Sequence, residues 1–151
     1  MEIERKFTVK KLPDLKKYRS KELIQGYICT DPVVRVRKED DTYYLTYKGK
    51  GLLAREEYNL PLNQEAFEHI IQKADGIVIR KTRYLIPYGK YTIELDVFHG
   101  ELEPLVMAEV EFDSEEEAGK FEMPGWFLKD VTSDTRYHNS NMSKYGFKEE
   151  N

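Results

Sequence analysis

The opening heptapeptide MEIERKF (residues 1–7) sets a charge at every second position: Glu2, Glu4 and Lys6, with Ile3 and Phe7 between them and Arg5 the one polar interruption. In a β-strand, residues two apart point to the same face. As a strand, this segment carries two carboxylates and an ammonium on one side and a mostly apolar surface on the other. A solvated edge strand would show such a stripe once. The fold is decided by whether the stripe recurs.

It recurs along most of the chain. Strand-like runs are expected at Glu2–Val9, Leu23–Thr30, Val33–Lys38, Thr42–Lys48, Ala54–Leu60, Val78–Ile86, Tyr91–Phe98 and Leu105–Phe112. Taking every second residue yields Arg35 and Arg37, Thr46 and Lys48, Arg55, Glu57 and Asn59, Lys81 and Arg83, Glu94 and Asp96, and Glu109 and Glu111. The exception is LIQGYICT (23–30), whose Gln25 and Tyr27 are polar and share a face. Ordinary half-buried antiparallel sheets also alternate polar with apolar. They do not confine the polar face to nearly pure Arg/Lys or Asp/Glu pairs. The better reading is a mainly β, α+β fold in which eight antiparallel strands close into a barrel with a charged interior. Its outward apolar faces are then covered in part by helices.

Those helices have their own signals. Pro13 introduces a short helical candidate at Asp14–Tyr18. Asn63 reads as an N-cap before Phe67, Ile70, Ile71 and Ala74 on one face, with Gly76 as the expected helix end. Ser114 with Glu117 forms a capping-box pattern. The polar stretch DVTSDTRYHNSNMSKYGF (130–147) leaves room for one short helix before Gly146.

Composition narrows the function. The chain has 151 residues, consistent with one domain over 1–151, and 34% are charged against the usual quarter or so, yet the net charge is only −4. A general nucleic-acid binder would show a basic surplus. A hydrophobic content of 40% argues against disorder. The lone Cys29 allows no intrachain disulfide, the N-terminus is charged from Glu2, and no apolar run approaches the ~20 residues of a membrane helix. A cytoplasmic protein is expected. Arg5, Glu56 and Arg80 on the outward face argue further against a membrane barrel.

An eight-stranded barrel is about wide enough for one small ligand. The expected lining has seven carboxylates (Glu2, Glu4, Glu57, Glu94, Asp96, Glu109, Glu111) and seven cations (Lys6, Arg35, Arg37, Lys48, Arg55, Lys81, Arg83). Mutual neutralisation alone would be a costly way to fill a core. A mixed lining suits a mixed ligand, a polyanion with a divalent cation: Arg and Lys take phosphoryl oxygens, and carboxylates take Mg²⁺ or Mn²⁺.

At this point the ordered set resembles the CYTH superfamily, the triphosphate tunnel metalloenzymes. The resemblance rests on Glu-x-Glu-x-Lys at 2–6, QGYI at 25–28, Arg35-x-Arg37, Thr46-x-Lys48, Arg55-x-Glu57, Lys81-x-Arg83, Glu94-x-Asp96, Glu109-x-Glu111 and the late VTSDTRYHN (131–139). It implies an antiparallel tunnel that hydrolyses triphosphates with Mg²⁺ or Mn²⁺, and the compact chain is most like the tripolyphosphatases. It further implies metal binding by Glu2, Glu4, Glu109 and Glu111, joined by Glu94 and Asp96. Phosphate would be held by Lys6, Arg35, Arg37, Lys48, Arg55, Lys81, Arg83 and Arg136. Asn59 stands where relatives often carry another acid. Tyr27 and Lys81 are a candidate proton-handling pair beside the catalytic Glu2, Glu4 and Lys6, should their strands face each other across the lumen. His69, His99 and His138 are expected at the surface, Cys29 in a structural role, and Trp126 and Phe127 in packing. The alternatives are a nucleoside or thiamine triphosphatase, a class IV adenylyl cyclase, and a module that binds polyphosphate or nucleotide without turnover. The partner in each case is a small molecule, not nucleic acid or membrane.

Overall fold

The computed structural model describes residues 1–147. Its strands are β1 (Glu2–Val9), β2 (Arg19–Thr30), β3 (Val33–Glu39), β4 (Thr42–Lys48), β5 (Ala54–Arg55), β6 (Glu57–Leu62), β7 (Asp75–Tyr88), β8 (Tyr91–His99), β9 (Val106–Glu111) and β10 (Phe127–Asp130). Helix α1 (Gln64–Ile71) joins β6 to β7, α2 (Glu115–Lys120) joins β9 to β10, and α3 (Asn139–Tyr145) follows β10.

The strands hydrogen-bond in the order β10-β1-β9-β8-β7-β2-β3-β4-β6, and β5 returns to β1. The stretch 54–62 therefore touches both ends of the path. Its first half pairs with β1 through Glu2↔Arg55 and Ile3↔Ala54. Its second half pairs with β4 from Lys48↔Glu57 to Tyr43↔Leu62. Serving two partners breaks the expected single strand 54–60 at Glu56. The second half also runs on through Pro61, as a strand with a free outer edge can. The barrel is thus eight walls, nearly closed, with one seam between β1 and residues 54–62. β10 is an added strand that four residues of sequence did not announce.

Register turns the stripes inward. Lys6 lies opposite Glu109, Glu4 opposite Glu111, Arg83 opposite Asp96 and Arg35 opposite Tyr27. Directly opposed residues share a face. Glu4, Lys6, Arg35, Arg37, Lys48, Lys81, Arg83, Asp96 and Glu109 are all buried. The outward faces of β1, β7, β8 and β9 supply Phe7, Ile86, Leu95, Ala108 and Val110 to a core closed by Ala118, Phe121, Trp126 and Phe127. Arg5 fastens that layer from outside the barrel, donating to Asp130 and to the carbonyls of Ala118 and Phe121. Glu117, the expected partner in the capping box, receives Ser114's cap on its amide, while its side chain pairs with Lys90.

One end of the lumen is apolar. Val33, Ile79, Phe98 and Met107 continue the inward faces of their strands past the charges and meet Val131, Tyr137 and Met142. α3 is seated on the start of β7, where Ser143 Oγ donates to Asp75 O and Ile77 O. Gly76 belongs to this contact and not to the end of α1, which stops at Ile71. Its φ is +69°, and a Cβ there would lie 2.2 Å from Ser143 O. A glycine a few residues past a helical stretch mimics a C-cap; here close approach of α3 requires it. The helical candidate at Asp14–Tyr18 is a single 3₁₀ turn, Leu15–Lys17, capped by Asp14. Among the described residues no helix is long and apolar enough to cross a membrane.

Candidate functional site

The charged part of the lumen encloses a cavity of about 150 Å³, which Val33 of the apolar plug reaches and whose lining includes the more exposed Glu57 and Glu111. Its walls carry the charges in two chemically different arrangements.

On β7, β8 and β9 the charges neutralise one another. Arg83 forks onto Asp96 at 2.8 and 2.9 Å and reaches Glu94 at 3.0 Å and Glu109 at 3.6 Å. Lys81 Nζ donates to Asp96 at 2.7 Å and to Asn139 Oδ1 at 3.4 Å, over the Phe98 ring. Burial disfavours the charge on Asp96, yet Arg83 and Lys81 outweigh it and hold the carboxyl below its usual range. Burial pushes Lys81 down to about 8 against the pull of Asp96. Glu109 is likewise held well below the carboxylate range, where Lys6 and Arg83 outweigh burial. Lys81 and Asp96 are outside the cavity lining; they form a buried ion pair deeper in the lumen, one step short of Ile79 and Phe98.

On β3 the cations have fewer carboxylates against them. Arg37 donates Nε to Gln25 Oε1 at 2.7 Å and sits 3.5 Å from Glu39, which in turn accepts the Tyr44 hydroxyl at 2.6 Å. Arg35 is buried and its Nε has no hydrogen-bond partner among the described residues. Its guanidinium meets the Tyr27 hydroxyl and feels Glu2 only at longer range, with no ion pair among the described residues. Across the cavity Lys6 Nζ stands 3.9 Å from Glu109. Lys48 bridges Glu2 at 2.9 Å and Glu57 at 3.3 Å, and Arg55 reaches Glu2 at 3.6 Å.

The third group is acidic. One carboxylate oxygen each from Glu2, Glu4 and Glu111 can lie within 4.8 Å of the others. Burial, followed by the neighbouring acids Glu94, Glu2 and Glu4, pushes Glu111 up to about 7. Burial also raises Glu4, with Glu109 adding to it, and raises Glu2 against Lys48. Glu57 goes the other way, to about 2, because a hydrogen bond with Glu2 and the Lys48 charge outweigh its burial. Glu111 makes no ion pair among the described residues. Three crowded oxygen donors, one without a cation, fit a hard divalent ion such as Mg²⁺ or Mn²⁺.

A testable consequence concerns pH. Glu111 keeps its proton up to about pH 7, so an incoming cation must displace it. Apparent Mn²⁺ affinity should rise between about pH 6 and 8, with about one proton released per ion bound. Calorimetry in two buffers of different ionisation enthalpy measures both; a pH-independent affinity without proton release would remove Glu111 from the ligand set.

The expected site residues divide accordingly. Glu2, Glu4, Lys6, Tyr27, Arg35, Arg37, Lys48, Arg55, Arg83, Glu94, Glu109 and Glu111 line the cavity. Lys81 and Asp96 lie deeper in the lumen, between the cavity and the plug. Arg136 lies toward the surface, forked onto Asp134 at 3.1 and 2.7 Å. The pairing of Tyr27 with Lys81 does not form. Their strands are neighbours, not opposite walls, and Tyr27 faces Asp75 while Lys81 faces Leu23. Glu39, Tyr44, Asn139 and Ser140 also line the cavity. Glu39 extends the Arg35–Arg37 alternation by one step and was legible; Asn139 and Ser140 come from irregular chain and were not. His138, expected at the surface, faces the cavity too, because the segment after β10 folds across the seam. Asn59 lines the rim, bonded to Thr46 and Glu57.

Comparison with known proteins agrees with this geometry. The CYTH domain model matches residues 1–144. An inorganic triphosphatase of Nitrosomonas europaea is 42% identical over 143 residues, covering 91% of this chain and 93% of that protein. An inorganic triphosphatase of Acetivibrio thermocellus is 40% identical over 156 residues, covering 97% and 96%. A crystal structure of an inorganic triphosphatase superposes with a TM-score of 0.71 at 37% identity, over 95% of this chain and 94% of that one. A Pyrococcus horikoshii protein at 24% identity shares the fold, with a TM-score of 0.62 over 80% of this chain and 84% of that one.

Proposed function

The chain belongs to the CYTH family, and from that premise we propose that it is a tripolyphosphatase, a single CYTH unit that hydrolyses inorganic tripolyphosphate to pyrophosphate and phosphate with Mg²⁺ or Mn²⁺. The observation that carries this is the division of the lumen. An acidic triad, Glu2, Glu4 and Glu111, shares the cavity with Arg35, which makes no ion pair among the described residues, and Arg37, which has Glu39 at 3.5 Å. The relatives named inorganic triphosphatase support the choice of substrate.

Phosphoryl transfer depends mainly on positioning and charge neutralisation. Arg35 and Arg37 offer planar donors to non-bridging phosphate oxygens, and Lys6 and Lys48 add point charges across from them. The paired Arg83 keeps Glu94 and Glu109 in place at the edge of the same surface. Glu2, Glu4 and Glu111, with Glu94 and Glu109 nearby, would hold a divalent ion, which would supply further neutralisation of the phosphate charge. Arg35, Arg37, Lys6 and Lys48 are buried, so their charges act at a dielectric below that of water.

The lining favours a bare polyphosphate over a nucleotide. Of the two aromatic side chains that line the cavity, Tyr27 is tied to Arg35 and Tyr44 to Glu39 and Arg37. A module that only binds polyphosphate would need the cations and not the acidic triad. Phosphate, pyrophosphate and cyclic AMP should be scored with tripolyphosphate, pyrophosphate, ATP and thiamine triphosphate in both metals. Fastest turnover is expected with tripolyphosphate. A preference for ATP, or formation of cyclic AMP, would move the assignment within the family; no turnover of any substrate would leave a binding module.

A further inference from the structure

We infer that His138 is the residue that takes the proton from the attacking water; this rests on the tripolyphosphatase reading. The plug of Val33, Ile79, Phe98, Met107 and Met142 closes one end of the lumen. A linear triphosphate therefore enters end first, with its terminal phosphate nearest the floor and the leaving pyrophosphate toward the rim. In-line displacement puts the nucleophile opposite the leaving group. The water must then lie between the terminal phosphorus and the floor.

Residues 138–140 line the cavity, and Asn139 reaches Lys81 beside the plug, to which Met142 of the same segment belongs. Asn139 is bonded to Lys81 and Tyr27 to Arg35. His138 donates Nε2–H to the Thr132 carbonyl at 3.1 Å. A carbonyl can only accept, so this bond fixes the tautomer and leaves a lone pair on Nδ1. Thr132 is itself clipped to the barrel wall, its Oγ1 accepting the Lys6 amide at 3.0 Å, so the ring is held to the same strand that carries Lys6. Burial, reinforced by the charges of Lys6 and Arg55 and opposed by the bond to Thr132 and by Glu109, lowers the ring's pKa from its ordinary value. A phosphate oxygen is held by donors such as the cations of the same cavity, and a neutral acceptor is of no use to it. It is of use to a group bearing a proton, and water is that group.

The step balances without a further reactant. The water oxygen bonds to the terminal phosphorus as the bond from that phosphorus to the bridging oxygen breaks. The electron pair of that bond leaves with pyrophosphate. One water proton passes to Nδ1, and the imidazolium returns it to solvent after product release.

The test is steady-state kinetics of His138→Gln and His138→Ala on tripolyphosphate. Glutamine keeps a donor for the Thr132 carbonyl and lacks a basic nitrogen. We expect its melting temperature and KM to match those of the wild type and its kcat to fall about 100-fold, the usual lower range for a general base. Added imidazole should restore part of the kcat of His138→Ala and nothing to Glu4→Ala. A kcat of His138→Gln within about threefold of the wild type, or a loss confined to KM, would overturn the role whatever the alanine variant does. Wild-type protein that cleaves ATP but not tripolyphosphate would instead refute the substrate reading, and the same variants on ATP would still score His138.

Discussion

Replacing Arg35 with alanine is expected to lower tripolyphosphate turnover on the order of 1,000-fold, the scale of a lost transition-state arginine, with the ligand-free melting temperature unchanged or raised. The two halves of that result have one cause. Arg35 is buried with no carboxylate partner and with Nε unsatisfied. Its desolvation is a cost to the folded state that the Tyr27 and Tyr44 oxygens and the Glu2 charge offset, so its removal leaves the ligand-free stability little changed. The space left opens into the cavity and fills with water, so no dry void forms. With ligand present the balance reverses. Saturating tripolyphosphate at ~100 times its Kd adds about 2.7 kcal/mol to the wild type, and most of that shift should vanish in Arg35→Ala. Arg35→Lys should recover only part of it, because an ammonium cannot form two parallel bonds to one phosphate. Melting curves with and without tripolyphosphate decide the matter. A large loss of ligand-free stability with the ligand shift intact would mean that Arg35 holds the barrel and not the substrate.

Asp96→Ala is expected to do the opposite, destabilising the fold by about 3–5 kcal/mol, as removal of one partner from a buried ion pair does. Asp96 is fully buried and neutralises both Lys81 and Arg83. Arg83 retains Glu94 and Glu109; Lys81 would retain only the neutral Asn139. The wild type carries a related pH signature. Lys81 has a folded value of about 8 against an ordinary 10.5. Between those values the unfolded chain binds more protons than the folded one, so this group makes stability rise with pH. Urea unfolding at pH 7.5 and 9.5 should show that rise in the wild type and its loss in Lys81→Met. An Asp96→Ala protein as stable as the wild type, or a pH response unchanged by Lys81→Met, would show that the pair carries no net weight.

These contrasts separate residues that look alike in sequence. Arg35, Arg37, Lys81 and Arg83 all sit in two-residue cationic stripes, and alternation assigns all four to the lumen. Alternation is a property of one strand. It reports the face and not the depth, nor which strand lies alongside. Whether a cation waits for substrate or is spent on a neighbour depends on that second strand. β8 sets Asp96 directly against Arg83, whereas β2 offers β3 only Gln25 and Tyr27.

The sequence by itself determined the eight walls, the inward stripes and the acidic set on the first and last barrel strands. These follow from a two-residue period that backbone geometry imposes locally. The caps at Asn63 and Ser114 were equally local, since each bonds an amide three residues away. Only the tertiary structure decided the rest. The seam exists because residues 54–62 must serve two partners. The plug exists because Ile79, Phe98 and Met107 lie one step further along strands whose depth no alternation encodes. Gly76 marks a close approach to Ser143, far away in sequence, and not a helix end. His138 and Asn139 reach the cavity from a stretch with no period at all, carried there by the bonds of residues 131 and 132 to Lys6. Contacts between segments so far apart in the chain leave no local trace, because what selects them is the shape of the space that the rest of the barrel leaves open.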